Sequence, residues 1–154
     1  MNKLETLGYT RFFKKQFDEL HKQDEFRQDL KPARVLSDRR DTYLIDGAAV
    51  SIAELSGNLL HRLNAEQRPV AGDWTLVDDG YDRAIIHHVF ERQTALKRRA
   101  TGSENIRQIL AANVNTFFIV TSANRDLNDR RLERYMTLVW DSGADPVIVL
   151  NKID

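Results

Sequence analysis

Two short, wholly apolar runs constrain the fold of this chain more than any other feature. Residues 117–120 read Phe-Phe-Ile-Val and residues 147–150 read Val-Ile-Val-Leu, a pattern typical of strands that are buried on both faces of a parallel sheet. Between them, residues 129–142 place one apolar stripe at helical spacing, made of Leu132, Tyr135, Met136 and Val139. Gly143 then stands where helices commonly end. Residues 116–150 therefore predict a β-α-β unit, whose parallel strands are joined by a right-handed crossover.

The four residues after the second run, Asn-Lys-Ile-Asp at 151–154, carry the most specific chemistry in the chain. Ligands of open α/β sheets bind just beyond the carboxyl ends of the strands. The Asp154 carboxylate can accept hydrogen bonds from the N1–H and the N2 amine of guanine, whereas adenine lacks both donors. Lys152 can lay its stem along the base, and Asn151 can face the base edge. The alternative is a polar turn that ends a strand, but the position directly after a buried run favours guanine binding.

A nucleoside triphosphate site also needs a glycine-rich loop that presents backbone N–H groups and a lysine to the phosphates. None of the seven glycines is followed by lysine, so the pattern G-x-x-x-x-G-K-[ST] does not occur in this sequence. In ordinary GTPases this loop precedes the guanine motif. Two possibilities follow: the loop comes after Asp154 in a circularly permuted domain, or there is no GTPase.

Residues 33–90 have a different pattern, in which short segments of alternating apolar and polar residues are separated by turn residues. Asp46-Gly47 is a favoured two-residue hairpin turn, so the alternation should resume at Val50 and Ile52. Leucines at helical spacing predict a helix over 54–63. The predicted strands lie at residues 34–37, 43–45, 50–52, 74–77 and 84–90. Five strands with a helix between the third and the fourth predict an OB-fold, a barrel whose open face and loops often bind oligonucleotides.

Four segments are predicted along the chain. Residues 1–31 contain an amphipathic helix over 10–21, which we expect to pack onto the body of the protein, and a polar linker. The barrel spans 32–91, a basic connector spans 92–112, and the α/β segment spans 113–154.

Six basic residues are candidates for contact with RNA phosphates, namely Arg39 and Arg40 in a barrel loop and Arg92, Lys97, Arg98 and Arg99 in the connector. The alternative for these residues is a solvated surface, since lysine plus arginine and aspartate plus glutamate number 23 each. Trp74, Tyr43 and Tyr81 could stack on bases, but aromatic residues of small barrels are more often core.

Several classes of protein are excluded or disfavoured. The chain has no cysteine, which excludes disulfides and thiolate metal ligands. No apolar run reaches the length needed to span a membrane. The N-terminal residues mix charges with apolar side chains, unlike a signal peptide, which favours a cytoplasmic protein. His87 and His88 are adjacent on a strand and point to opposite faces, so we predict no metal site. No arrangement of serine, histidine and acid indicates a catalytic residue.

Five stretches of this sequence resemble one known family. They are Gly72-Asp73-Trp74, residues 91–98, residues 111–122, the helix residues 130–135, and residues 142–154 apart from Asp145. All are similar to segments of the ribosome small-subunit-dependent GTPase A family. The similarity covers nearly everything from residue 32 onward.

The resemblance implies an OB-fold, then a circularly permuted P-loop-type GTPase domain of which only the β-α-β unit is present here, and a zinc-binding domain beyond it. It implies a factor for late maturation of the small (30S) ribosomal subunit, with a barrel that contacts 16S rRNA. GTP hydrolysis, with magnesium, would be stimulated by the subunit. We also expect the protein to be a monomer.

We expect this chain to be the N-terminal portion of such a protein. Because it ends at Asp154, before any phosphate loop, we expect no GTP hydrolysis by the chain alone. A lone β-α-β unit cannot cover both faces of its sheet, so we expect exposed apolar surface and poor solubility. The alternative function is a non-enzymatic RNA-binding OB-fold with a remnant α/β segment.

Overall fold

The computed structural model describes residues 2–22, 27, 29–40, 42–99, 107–123 and 127–152, with the backbone alone at Arg99 and Arg107. The chain divides into two compact units, a barrel unit (Met1–Arg92) and an α/β unit (Gln93–Asp154). The elements of the barrel unit are α1 (Lys3–Thr6), α2 (Arg11–His21), β1 (Lys31–Arg39), β2 (Thr42–Asp46), β3 (Ile52–Leu55), α3 (Gly57–Arg62), β4 (Trp74–Asp78) and β5 (Ala84–Val89). Those of the α/β unit are β6 (Ala95–Arg99), β7 (Arg107–Ala112), β8 (Thr116–Ser122), α4 (Asp129–Asp141) and β9 (Asp145–Asn151).

Strands β1 to β5 form a closed barrel in the order β1-β2-β3-β5-β4, with β4 returning to β1. The pairing of β3 with β5 is parallel and the other pairings are antiparallel. Alternate residues point inward and form one core, made of Ala33, Val35, Tyr43, Ile45, Ala53, Val77, Ala84 and Ile86. Helix α3 lies between the third and the fourth strand. The predicted OB-fold is confirmed.

The predicted two-residue turn at Asp46-Gly47 is wrong. Strand β3 begins only at Ile52, which pairs with Leu44, so residues 47–51 form a longer loop. The Asp46 carboxylate accepts the Gly47 N–H at 2.7 Å and binds Lys3 of α1 at 2.6 Å. Ala48 and Val50 of this loop pack against the barrel core.

The N-terminal helices cover the outer face of β4. Trp74 and Leu76 on that face join Phe13, Leu30 and Phe90 in a second buried core, against which Leu4, Leu7, Tyr9, Phe12, Phe17 and Leu20 pack. The ring of Tyr9 meets that of Trp74 edge-on, with centroids 4.8 Å apart. The amphipathic helix predicted over residues 10–21 is therefore confirmed, and it packs onto the body as expected.

The α/β unit begins with a hairpin that the sequence analysis did not predict. Within the segment interpreted as a connector, β6 and β7 pair antiparallel, with Ala95 opposite Ala112 and Arg99 opposite Arg107. The basic side chains of this segment obscure the alternation on which strand prediction depends.

The β-α-β unit is confirmed: β8 and β9 are parallel neighbours, and α4 connects them. The predicted exposure of apolar surface is also confirmed, since Phe118 is 69% and Val120 64% exposed. Tyr135, which we expected on the inward stripe of α4, is 49% exposed. Among the described residues, no helix has both the length and the apolar content needed to cross a membrane.

Two neighbouring histidines of β5 should lower the stability of the barrel unit in mild acid. Burial lowers the pKa of His88, and burial together with Arg27 lowers the pKa of His87, whose Nε2 lies 3.3 Å from Arg27 Nη1. The folded state therefore favours neutral rings, whereas the unfolded chain takes up protons near the ordinary histidine pKa of about 6.5. Stability is thus full above about pH 6.5 and falls as the pH drops below it.

Urea unfolding at about pH 7.5 and about pH 5.5 measures this dependence on either side of the ordinary histidine pKa. Fluorescence of the buried Trp74 reports on the barrel unit when the exposed Trp140 is replaced by phenylalanine. The wild type should unfold at lower urea concentration in acid, and the variant carrying both His87→Gln and His88→Gln should lose much of that difference. Equal pH dependence in both proteins would contradict the assignment.

Candidate nucleotide-binding site and basic surfaces

Asn151 and Lys152 lie at the carboxyl end of the parallel sheet. Asn151 is the last residue of β9 and pairs with Ser122, the last residue of β8. One more hydrogen bond follows, in which the Ala123 N–H donates to the Asn151 carbonyl at 2.9 Å. The two strands therefore end side by side, which is the edge at which open α/β sheets bind ligands.

The backbone turns sharply directly after β9. Lys152 has a φ of 55°, in the left-handed region that residues other than glycine and asparagine rarely adopt. Its N–H donates to the Asn151 side-chain oxygen at 2.9 Å. The Asn151 side chain therefore stabilises the turn that follows it. The side chains of both residues are exposed. Asp154 lies outside the described residues, so its role as the guanine-reading carboxylate stays a prediction.

A cleft of about 370 Å³ lies beside these strand ends, between β8 and α4. It is lined by Ile119, Val120, Thr121, Ser122, Arg131, Leu132 and Tyr135. Within the described residues β8 pairs with β9 alone, so its other edge carries unpaired backbone groups. Unpaired backbone groups and partly covered apolar side chains can accept a further strand at this edge.

Arg92 has a structural role that the sequence analysis did not identify. Its Nε and Nη2 donate to the two carboxylate oxygens of Asp73 at 2.8 and 2.7 Å, and its Nη1 and Nη2 donate to the carbonyls of Glu66 and Arg68 at 2.8 and 2.9 Å. Asp73 is fully buried, and its carboxylate also accepts the Val70 N–H at 2.8 Å. Arg92 therefore fastens the loop before β4 to the barrel. Its partner is 19 residues away in sequence, so no local pattern indicates the pair.

The other candidate RNA contacts are distributed over separate surfaces. Arg39 ends β1 and Arg40 lies in the turn that follows it, and both side chains are exposed. Lys97 and Arg98 are exposed on β6, but adjacent strand residues point to opposite faces, so they do not form one patch. The side chain of Arg99 lies outside the described residues.

Two of the three candidate stacking aromatics are core residues. Trp74 is fully buried and Tyr43 is 3% exposed, which confirms the core interpretation for both. Tyr81 is 65% exposed. In the part of the chain that the structure describes, no group of three or more histidine and acidic side chains is placed to hold a metal ion.

The family described as RsgA GTPase matches residues 89–154. The small ribosomal subunit biogenesis GTPase RsgA of Syntrophotalea carbinolica is 40% identical over 98% of this chain and 43% of its own length. The protein of the same name from Methanosarcina acetivorans is 45% identical over 72% of this chain and 30% of its own length. The chain thus spans less than half the length of these relatives.

A solved structure shares the fold. The crystal structure of YloQ, a circularly permuted GTPase, matches 86% of this chain and 44% of its own chain with a TM-score of 0.57 at 16% sequence identity. The closed five-stranded barrel and the likeness to YloQ therefore support one architecture. It is an OB-fold barrel followed by part of a circularly permuted GTPase domain.

Breaking the buried Arg92–Asp73 pair should strongly destabilise the barrel unit. Arg92→Met leaves the Asp73 carboxylate buried without its partner, which typically costs about 3 to 5 kcal/mol in the free energy of unfolding. Arg39→Met removes an exposed guanidinium from the same unit and should change stability by less than about 0.5 kcal/mol.

The free energies are measured by urea unfolding, with Trp74 fluorescence as the signal. Adding Asp73→Asn to Arg92→Met removes the unpaired charge and should recover part of the loss. If Arg92→Met costs no more than Arg39→Met, the pair does not hold the loop.

Proposed function

Because this chain belongs to the RsgA GTPase family over the length that it shares with its relatives, we propose that it is the front part of a GTPase for late maturation of the small ribosomal subunit. It contributes two components, a barrel that contacts 16S rRNA and the guanine-reading part of a circularly permuted GTPase domain. The observation that carries the proposal is the Asn-Lys-Ile-Asp motif, which begins at the last residue of β9, where two parallel strands end side by side.

The residues at this edge suit a guanine base. The Asn151 side-chain oxygen accepts the Lys152 N–H, which leaves the Asn151 amide N–H groups as donors for a base edge or a neighbouring loop. The exposed stem of Lys152 can cover one face of the base. Asp154 supplies the paired acceptors that distinguish guanine from adenine.

The phosphates of GTP require residues that this sequence does not contain. We propose that a further strand, followed by the glycine-rich loop, pairs with the free edge of β8 and brings the loop to the same end of the sheet as Asn151. A magnesium ion would be bound there together with the phosphates, and a zinc-binding domain would belong to the length that the relatives have in addition. On this proposal the 154 residues alone bind nucleotide weakly and do not hydrolyse GTP.

The segment boundaries and the cellular setting follow from the same proposal. Residues 32–91 form the RNA-contacting barrel, with residues 1–31 as its support, and residues 113–154 start the GTPase domain. We place the protein in the cytoplasm as a monomer that acts on assembling subunits. Arg39, Arg40, Lys97, Arg98 and Arg99 are the proposed phosphate contacts, whereas the guanidinium of Arg92 holds the loop before β4.

Replacing the terminal carboxylate should change which nucleotide is bound. In a protein of the relatives' full length, Asp154→Asn replaces an acceptor with a donor. GTP binding should weaken by about 100-fold or more, and xanthosine triphosphate should become the better ligand because its base carries an oxygen at the exocyclic position.

Competition against fluorescent GTP provides the measurement. The matched control is Asp145→Asn, which removes the same charge at the amino end of β9 and should leave the preference for GTP unchanged. An unaltered nucleotide preference in Asp154→Asn would remove the assigned role.

A second candidate function is a non-enzymatic RNA-binding module, favoured by the exposed Arg39 and Arg40 at the end of β1. Both candidates predict that RNA affinity falls as salt rises, because phosphate contacts release counterions. They differ in nucleotide dependence. In the full-length protein, affinity for small ribosomal subunits should differ between GTP and GDP if the chain belongs to a GTPase, and should be the same in both if the barrel acts alone.

A further inference from the structure

A second cleft, of about 160 Å³, lies on the barrel unit. Its walls come from four parts of the fold: the β1–β2 turn, strands β2 and β3, helix α3, and the loop before β4. The lining residues are Arg40, Tyr43, Glu54, Leu55, Leu60 and Arg68. We call this space the barrel cleft. The site at the end of β9 shares no residue with it.

Each wall of the barrel cleft is fixed by hydrogen bonds within the unit. The loop that carries Arg68 is held through the Arg68 carbonyl, which accepts from Arg92 Nη2 at 2.9 Å. Helix α3 is capped by Ser56, whose Oγ accepts the Leu59 N–H at 3.3 Å and whose own N–H donates to the Ile86 carbonyl at 2.9 Å. In the β1–β2 turn, the Thr42 hydroxyl donates to the Arg39 carbonyl at 3.2 Å. The cleft is therefore preorganised.

The lining of the barrel cleft combines three kinds of chemistry. Leu55 and Leu60 provide apolar surface, and Leu60 is 43% exposed. Arg40 and Arg68 are exposed guanidinium groups at the rim, which pair well with phosphate oxygens. Glu54 is a carboxylate, and its nearest described cation, Arg83, lies at 3.8 Å, beyond hydrogen-bonding distance. Tyr43 is too deeply buried to stack on a ligand and contributes only part of the floor.

A nucleotide offers the complementary set of groups. Its base has an apolar face for the leucines, its flanking phosphates suit the two arginines, and the polar edge of the base can meet the carboxylate. Of the four RNA bases, only guanine presents two adjacent N–H donors, N1–H and the N2 amine, to one carboxylate. Adenine and cytosine place a ring acceptor beside their single amine, and uracil has one N–H between two carbonyls, so all three pair poorly with Glu54.

We propose that the barrel cleft binds one unpaired guanosine of a single-stranded RNA segment. The base lies against Leu55 and Leu60, Glu54 accepts from its N–H groups, and Arg40 and Arg68 meet the adjoining phosphates. This inference rests on the proposed function that the barrel contacts RNA, and it adds to it a base preference and four contact residues, Glu54, Leu55, Leu60 and Arg68. The cleft also lies on the side of an OB-fold, formed by the second and third strands and the first loop, that commonly takes oligonucleotides.

The test compares two fluorescein-labelled RNAs, a short oligouridine and the same oligomer with one central guanosine. Binding to the intact chain is measured by fluorescence anisotropy over a range of salt concentrations. We expect the guanosine oligomer to bind about tenfold more tightly. Glu54→Gln should remove most of this preference while binding oligouridine at least as tightly as the wild type, because a negative charge near the phosphates is lost.

The arginines should have a different effect from Glu54. Arg40→Gln and Arg68→Gln should each weaken both oligomers and reduce the slope of log affinity against log salt by about 0.7, the value for one phosphate contact of a single strand. The matched control is Lys15→Gln on the exposed face of α2. It should change neither the affinity for the two oligomers nor the salt slope. Thermal unfolding of each variant verifies that these surface substitutions leave the barrel folded.

The outcomes separate the two proposals. Equal binding of both oligomers by the wild type, with salt-sensitive affinity retained, would overturn the guanosine cleft and leave RNA contact standing. Absence of salt-sensitive binding to either RNA would overturn both. Displacement of the guanosine oligomer by polyglutamate as effectively as by unlabelled RNA would assign the cleft to an acidic peptide and overturn the proposal.

Discussion

The barrel unit depends on burying both faces of strand β4. On its inner face, Val77 joins the barrel core and the Thr75 hydroxyl donates to the Ala33 carbonyl at 3.1 Å. On its outer face, Trp74 and Leu76 are covered by the N-terminal helices. A strand with two buried faces gains hydrophobic stabilisation from both, so the helices are part of the folded unit and complete its core.

The positive charges of this chain divide into structural and exposed groups, although the net charge is zero. Arg92 donates hydrogen bonds to Asp73 and to two backbone carbonyls. Arg34 is half-buried, donates to the Leu7 carbonyl and has its guanidinium 5.9 Å from the centroid of the Trp74 ring. Burial lowers the pKa of Arg34. Arg40 and Arg68, in contrast, point their charge at solvent around a cleft. A count of basic residues therefore says little about RNA contact until each side chain has been placed.

Local patterns predicted the elements that local physics determines. The apolar runs of β8 and β9, the stripe of α2 and four of the five barrel strands follow from periodicity within a few residues. The third strand was predicted over residues 50–52 and lies instead at Ile52–Leu55. The features that were missed depend on partners distant in sequence: Asp73 before β4 binds Arg92 after β5, the Asp46 carboxylate at the start of the longer loop binds Lys3, and Lys97 in β6 pairs with Ile109 in β7. The end of β9 was predicted because parallel topology places strand ends together, while the carboxylate of Asp154 lies outside the described residues.

Lys152 occupies a backbone conformation in which glycine would be easier to accommodate, since a side chain in the left-handed region costs about 1 to 2 kcal/mol. Glycine at this position would relax the turn after β9 and also remove the stem that is proposed to cover the base. On the proposed function, folding stability and nucleotide affinity therefore make opposite demands on Lys152. A substitution at position 152 that raises the stability of the domain would therefore differ from one that tightens the proposed nucleotide binding.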